Sequence, residues 1–261
     1  MKIALFYYSA TGNTKKVCEY IQKKIPQLIL INIATTVEQK SEDYEIIGIA
    51  FPVFYLSIPP NVASFLNSFT IQKNKPVFIL ATYGMMQGKS ITNTAKILNK
   101  KGFNIFDSFA LQMPESYPPF LVKGWTDIEA PNQEEMVKLN SFIETINNII
   151  VALKIGNTPE RKIIQNGIIN SLIPIPSDKK KRKDFGELIL DEQVCTSCGI
   201  CEESCVYNAI SIKKVPTFNM EKCAFCYACY NKCAKNAIKT TRLSSKAQYH
   251  FPDIKLKEKF L

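Results

Sequence analysis

Cys195-Thr196-Ser197-Cys198-Gly199-Ile200-Cys201-Glu202-Glu203-Ser204-Cys205 is answered 28 positions later by Cys223-Ala224-Phe225-Cys226-Tyr227-Ala228-Cys229-Tyr230-Asn231-Lys232-Cys233. Both runs read C-x2-C-x2-C-x3-C, and Asn208-Ala209-Ile210 recurs as Asn236-Ala237-Ile238 at the same offset, so the segment is an internal duplication. Eight of the nine cysteines fall in these runs. Three thiolates on a tight C-x2-C-x2-C loop can wrap three irons of one cubane, while the fourth cysteine lies beyond that loop. Four disulfides do not require a duplicated pattern of this kind. Structural zinc prefers two C-x2-C pairs separated by a longer hairpin, which four cysteines within eleven residues fit poorly.

On these motifs the region 187–240 resembles the bacterial two-[4Fe-4S] ferredoxins, whose two runs trade fourth ligands. The resemblance implies a small α+β ferredoxin-like domain with two clusters. One would be held by Cys195, Cys198, Cys201 and Cys233, the other by Cys223, Cys226, Cys229 and Cys205. Val206 and Ala234 stand where the family usually has proline, and Phe225 and Tyr227 stand inside the second loop where it favours small residues. Those departures leave ligation intact and bear on the reduction potentials. Lys222, Lys232 and Lys235 border the second run, while Glu202 and Glu203 sit in the first, so the cluster held mainly by the second run is expected to have the higher potential.

Outward from the repeat, the N-terminal part keeps an α/β rhythm. Strand-like runs at 3–8, 28–33, 45–50, 76–82 and 103–111 alternate with helical patterns after residue 14 and at 62–69, 90–98 and 133–153. Such alternation implies a parallel sheet with helices on both faces, with ligands beyond the C-terminal strand ends. The first of those ends is Ser9-Ala10-Thr11-Gly12-Asn13-Thr14, a hydroxyl-rich turn entering a helix. Backbone N–H groups and the helix dipole there suit a phosphate, although the same turn can serve as an ordinary helix cap. G-x-G-x-x-G and G-x4-G-K-[ST] are both absent, which argues against a dinucleotide fold or a P-loop.

The turn resembles the phosphate loop of flavodoxins. That resemblance implies a flavodoxin-like doubly wound parallel α/β sheet over 1–155, holding FMN. It further implies that Pro52, Val53, Phe54 and Tyr55 after the third strand, and Thr82, Tyr83, Gly84, Met85 and Gly88 after the fourth, flank the isoalloxazine ring. Tyr55 or Phe54 would lie on one side and the Tyr83-Gly84 backbone on the other.

Residues 156–186 read as a linker, with an amphipathic helix opened by Pro159 and carrying Ile163, Ile164, Ile168 and Leu172, then a solvated basic run, Lys179-Lys180-Lys181-Arg182-Lys183. The run could also dock an acidic redox partner or a membrane surface. The proline-rich stretch 113–131 is too long for a simple connection and is either a cover over the flavin or cluster region or a surface loop. A tail, 241–261, carries the one histidine, His250, and neither it nor the ninth cysteine, Cys18, supports a catalytic role.

The 261 residues carry a formal charge of +10. Two four-thiolate clusters at about −2 each and an FMN phosphate at nearly −2 would bring the loaded protein to about +4. No zinc-finger, RRM or helix-turn-helix signature accompanies the charge, so nucleic acid is not an expected partner. No apolar run approaches a membrane span, and the start of the chain reads as a strand rather than an export signal, so a cytoplasmic setting is expected. The combined reading is a flavodoxin-like domain fused to a ferredoxin domain, a family arrangement of anaerobic bacteria and archaea. It would pass electrons between FMN and two clusters and on to a redox partner protein. The alternatives are a flavin-dependent reductase of a small acceptor, a quinone or nitro compound, and a zinc-stabilised interaction module. No acid–base constellation marks the chain as an enzyme.

Overall fold

A computed structural model of the chain describes residues 1–35, 41–127, 129–165, 167–243, 248–250, 256 and 258–260. Its largest element is a five-stranded parallel sheet. The strands are β1 (Ile3–Tyr7), β2 (Leu28–Asn32), β3 (Ile46–Pro52), β4 (Pro76–Tyr83) and β5 (Asn104–Gln112), in the order β2-β1-β3-β4-β5. β1, β3 and β4 are near-continuous apolar runs because helices cover both of their faces. Helices α1 (Asn13–Lys24) and α5 (Gln133–Lys154) build the core on one face, where Val17, Ile21, Leu139 and Ile146 meet Leu5 and Leu80. Helices α2 (Pro60–Asn67) and α3 (Ser90–Lys100) build the other, where Val62, Leu66 and Leu98 meet Phe6, Phe51 and Ile79. The order reverses between β1 and β3, and the crevice beyond their C-terminal ends is where a fold of this kind places its ligand.

After β5 come the short helices α4 (Pro118–Val122), α6 (Ile168–Leu172) and α7 (Asp178–Phe185). The cysteine runs follow. They carry β6 (Leu188–Leu190) paired antiparallel with β9 (Ile238–Thr240), β7 (Ile210–Ile212) paired antiparallel with β8 (Pro216–Phe218), and the one-turn helices α8 (Ile200–Glu203) and α9 (Ala228–Lys232).

One expectation for 156–186 is corrected. The amphipathic helix expected from Pro159 onward is confined to α6, and the residues before it run along the outer edge of β5. There Lys162 N–H donates to the Ile105 carbonyl at 2.7 Å, Asn104 Nδ2 to the Pro159 carbonyl at 2.7 Å, and Lys162 pairs with Asp107 at 2.5 Å. An open strand edge offers unpaired backbone groups, and this segment takes them in preference to its own helical bonds. The basic run forms a helix capped at both ends, on which Lys179, Lys180, Arg182 and Lys183 stay exposed, as expected of a solvated run. Ser177 Oγ accepts from Lys180 N–H at 3.3 Å, and Gly186 at φ 76° takes the position after the last turn. Its inner face is packed through Phe185. Phe185 is buried against Phe225 and Tyr227 at 5.4 and 4.5 Å, and Arg182 and Lys181 lie over the Phe225 and Tyr55 rings, each at 5.7 Å.

The cysteine-bearing segment is docked on the sheet, not tethered to it. Ala228 lies inside the core cluster of the α2–α3 face, and Val206 and Cys226 pack against it. Tyr207 OH donates to Asn61 Oδ1 at 2.9 Å, Tyr55 OH to the Phe225 carbonyl at 3.0 Å, and Asn231 Nδ2 to the Ser116 carbonyl at 2.9 Å. The tail 241–261 lies partly outside the described residues. Its Tyr249 donates to Asn13 Oδ1 at 2.6 Å, while Leu256 and Phe260 enter the α1–α5 core.

Candidate flavin and iron–sulfur sites

The 28-residue repeat is written in the backbone. Ser197, Gly199 and Asn208 take positive φ in the first copy, and Phe225, Tyr227 and Asn236 take it at the same three places in the second. Gly199 adopts that region freely, whereas its counterpart Tyr227 holds φ 57° with a full side chain buried against Tyr117, Phe185 and Tyr230. Amide-to-sulfur bonds repeat as well. Ser197 N–H donates to Cys195 Sγ at 3.4 Å and Phe225 N–H to Cys223 Sγ at 3.4 Å. Ala209 N–H donates to Cys205 Sγ at 3.3 Å and Ala237 N–H to Cys233 Sγ at 3.2 Å.

Electrostatic contact between the thiols crosses from one run to the other. Burial pushes the Cys201 thiol up, and Cys198 and Cys233 push it further; Cys233 comes from the other run. Burial likewise pushes Cys223 up, takes Cys226 up to about 12 and raises Cys229 well above an ordinary thiol, and each of the three also feels Cys205 from the first run. Without metal these thiols hold their protons at neutral pH, and a metal must displace them to bind. Among the described residues no three Cys, His, Asp or Glu side chains converge on a point, as a single zinc ion would require. The thiols differ in access. Cys198 is exposed at the surface, whereas Cys226 lines a cavity.

That cavity, about 370 Å³, lies beyond the β1/β3 crevice. Three loops of the sheet supply one side: Ala10, Thr11 and Asn13 after β1, Pro52 to Leu56 after β3, and Thr82 to Met86 after β4. The stretch after β5 supplies Met113 to Tyr117 with Phe120, and the far wall is Phe225 and Cys226. A volume of this size is in the range of a cofactor site. Most of the sequence-expected flavin residues therefore line one space. The others position it. Ser9 Oγ accepts from Gly12 and Lys15 N–H at 3.1 and 3.2 Å, leaving the first-turn N–H groups of Asn13 and Thr14 without intrahelical acceptors, as at any helix start. Thr14 Oγ1 bonds Thr82 Oγ1 at 2.8 Å and ties the first loop to the third. Gly88, at φ 56°, sits against the Leu56 carbonyl, which a Cβ would meet at 2.3 Å.

Tyr55 and Leu56 both have positive φ in a tight turn closed by two bonds between Phe54 and Ser57, at 3.0 and 2.9 Å. This turn normally uses glycine or asparagine, so the loop holds backbone strain where it faces the cavity. Its product is Tyr55 aimed away from the sheet, with its ring against Tyr117 at 5.9 Å and its hydroxyl on Phe225. Phe54 packs on Tyr8 at 5.9 Å.

Sequence reasoning missed Glu115 and Tyr117. Glu115 lies in the cavity wall, accepts from Met85, Ser116 and Tyr117 N–H at 3.3, 2.8 and 2.9 Å, and meets the space where Gly84 would carry a Cβ. Burial raises its carboxyl, and the three N–H groups oppose the rise. No spacing signal marks it; the length and proline content of 113–131 were the one hint. That stretch both roofs the cavity and contacts the cysteine segment.

A cavity at the switch point of a 2-1-3-4-5 sheet, walled by a cysteine of a duplicated cluster motif, defines an electron-transfer protein of the flavin and iron–sulfur type. Comparison with known proteins gives the two parts their families. Residues 4–116 match the flavodoxin domain model and residues 179–237 the 4Fe-4S dicluster domain model, so the chain is a flavodoxin–ferredoxin fusion. An uncharacterized protein of Methanocaldococcus jannaschii is 26% identical over 149 residues, 56% of this chain and 98% of its own. Among solved structures, a flavodoxin from the domain Archaea aligns with 15% identity and a TM-score of 0.41, over 59% of this chain and 99% of its own. A Fusobacterium nucleatum flavodoxin mutant bound to flavin mononucleotide aligns with 17% identity and a TM-score of 0.34, over 40% and 66%. Among the described residues no helix is long and apolar enough to cross a membrane.

Proposed function

We propose that the chain holds one FMN and two [4Fe-4S] clusters in series and passes electrons between the flavin and a redox partner that docks at the exposed cluster. FMN exchanges one or two electrons and each cubane exchanges one, so the assembly would convert between pair and single-electron chemistry. The observation that carries this reading is the shared cavity, in which loops of the flavodoxin sheet face Phe225 and Cys226 of the second cysteine run. Residues 1–155 supply the flavin site, with Ala10, Thr11 and Asn13 beside the phosphate loop and Val53 to Tyr55 and Thr82 to Met85 flanking the ring. Residues 187–240 supply the inner ligand set Cys205, Cys223, Cys226 and Cys229 and the outer set Cys195, Cys198, Cys201 and Cys233. Residues 156–186 brace one against the other.

The chain's own contribution is placement and exclusion of water. Tyr55, Tyr117 and Phe225 close the cavity on the cluster side, and the 113–117 stretch roofs it. Eight thiols committed to metal fit a reducing, cytoplasmic setting. Assay of iron, sulfide, zinc and flavin in anaerobically purified protein tests the reading. About eight irons, eight sulfides and one FMN per chain are expected; zinc without sulfide would overturn it.

A further inference from the structure

Between the sheet and the inner thiols lies one buried hydroxyl that the cavity does not use. Tyr8 follows β1, is 2% exposed, and its hydroxyl has no hydrogen-bond partner among the described residues. A buried hydroxyl without a partner is unfavourable, and such groups in native proteins call for an explanation. Its surroundings supply one. Tyr8 belongs to the α2–α3 core cluster against which Cys226 packs, and Cys226, Tyr207 and Cys205 add to the rise that burial imposes on its phenol. These two thiols belong to the same, inner, set. Tyr207 feels the same thiols, but its proton is already given to Asn61 Oδ1. Tyr227 also has an unpartnered hydroxyl, and its foremost electrostatic neighbours are the phenols of Tyr117 and Tyr230.

We infer that Tyr8, a residue of the flavodoxin domain, donates its O–H to a sulfur of the inner cluster and raises that cluster's reduction potential. The inference rests on the reading that Cys205, Cys223, Cys226 and Cys229 hold a [4Fe-4S] cluster. Reduction adds a negative charge to the cluster, so a hydrogen bond to its sulfur is stronger in the reduced state and favours it. Four backbone N–H bonds to sulfur are equivalents in the repeat. Phe225 and Ala209 donate to Cys223 and Cys205 as Ser197 and Ala237 donate to Cys195 and Cys233. The phenol has no counterpart in the repeat, because it comes from the other domain. The cluster sulfur thus supplies the partner that the phenol otherwise lacks, and the flavodoxin domain acts on the cluster through Tyr8 as a positioning and tuning group.

EPR-monitored redox titration of the anaerobically loaded full chain tests this with Tyr8→Phe, which keeps the ring packed on Phe54 and removes the unpaired hydroxyl alone. Tyr8→Phe should retain the wild-type iron and sulfide content. The midpoint of one cluster should fall by the equivalent of roughly a tenfold change in its oxidised-to-reduced ratio at fixed potential. The other cluster and the flavin should not move, and Tyr207→Phe should shift the same cluster less. Identical midpoints in wild type and Tyr8→Phe at full cluster content would overturn the inference, and so would an equal fall in Tyr207→Phe. Loss of all cluster signals from the wild type would instead overturn the reading beneath it.

Discussion

Gly88 is where the loop after β4 meets the strained turn after β3. At φ 56° an L side chain is strained, and a Cβ would also meet the Leu56 carbonyl at 2.3 Å, backbone that cannot swing aside. Gly88→Ala should therefore cost on the order of 2 kcal/mol and loosen flavin binding through the displaced Tyr55–Leu56 turn. Chemical denaturation together with FMN titration checks it, and unchanged stability would mean that the turn is freer than it looks. Cys18, fully buried on α1, illustrates the opposite case, a reactive side chain with no task. Burial pushes its thiol up, Glu19 adds to the rise, and the thiolate is the nucleophile. Because the folded value is above the unfolded one, the thiol's share of stability is present below the ordinary thiol range of about 8.5 and is lost as pH rises through the folded value. Iodoacetamide should leave Cys18 of the native loaded protein unlabelled from pH 7 to 9, as read by mass spectrometry; rapid labelling would contradict its burial. The residues of these sites differ in how they declare themselves. Cysteines and a hydroxyl-rich turn are legible as chemistry, whereas Glu115, Tyr117 and Tyr8 are ordinary residues whose role comes from what the fold sets beside them.

The elements were readable where hydrophobic pattern and caps agreed. β1, β3 and β4 are apolar throughout and α5 carries a periodic stripe, and each lies within a few residues of where the pattern puts it. Asn132 and Glu135 close a reciprocal capping box at the start of α5, with both bonds at 2.9 Å. The segment after Pro159 misled because its isoleucines mimic a helical stripe while its backbone was recruited by the edge of β5, a tertiary contact that no local pattern encodes. The basic run is largely exposed as its composition suggests, but composition does not report the aromatic rings under Lys181 and Arg182. The two cysteine elements carry a sharper expectation. If ligation crosses between runs, Cys205→Ser should disturb the inner cluster, whose other ligands lie in the second run, and Cys233→Ser the outer cluster, whose other ligands lie in the first. Mössbauer and EPR spectra of the two variants should thus show complementary losses. Loss of the first-run cluster in Cys205→Ser would contradict the crossing.

For the molecule as a whole, a flavin half and a cluster half could be read from the sequence, but not how they sit together. That arrangement depends on contacts distant in sequence, such as Tyr207 with Asn61, Tyr55 with Phe225, Asn231 with Ser116 and Tyr249 with Asn13. Each joins two surfaces that separately look like ordinary exposed polar residues. Together they fix Cys226 in the wall of the cavity and leave Cys198 at the surface, which gives the assembly an inner and an outer end. Flash photoreduction of the flavin in the intact, anaerobically loaded chain, with cluster reduction followed by freeze-quench EPR, tests this order most directly. The account predicts that the cluster ligated by Cys205, Cys223, Cys226 and Cys229 is reduced first, at a rate independent of protein concentration. Cluster reduction in proportion to protein concentration, or first at the Cys198 cluster, would contradict it.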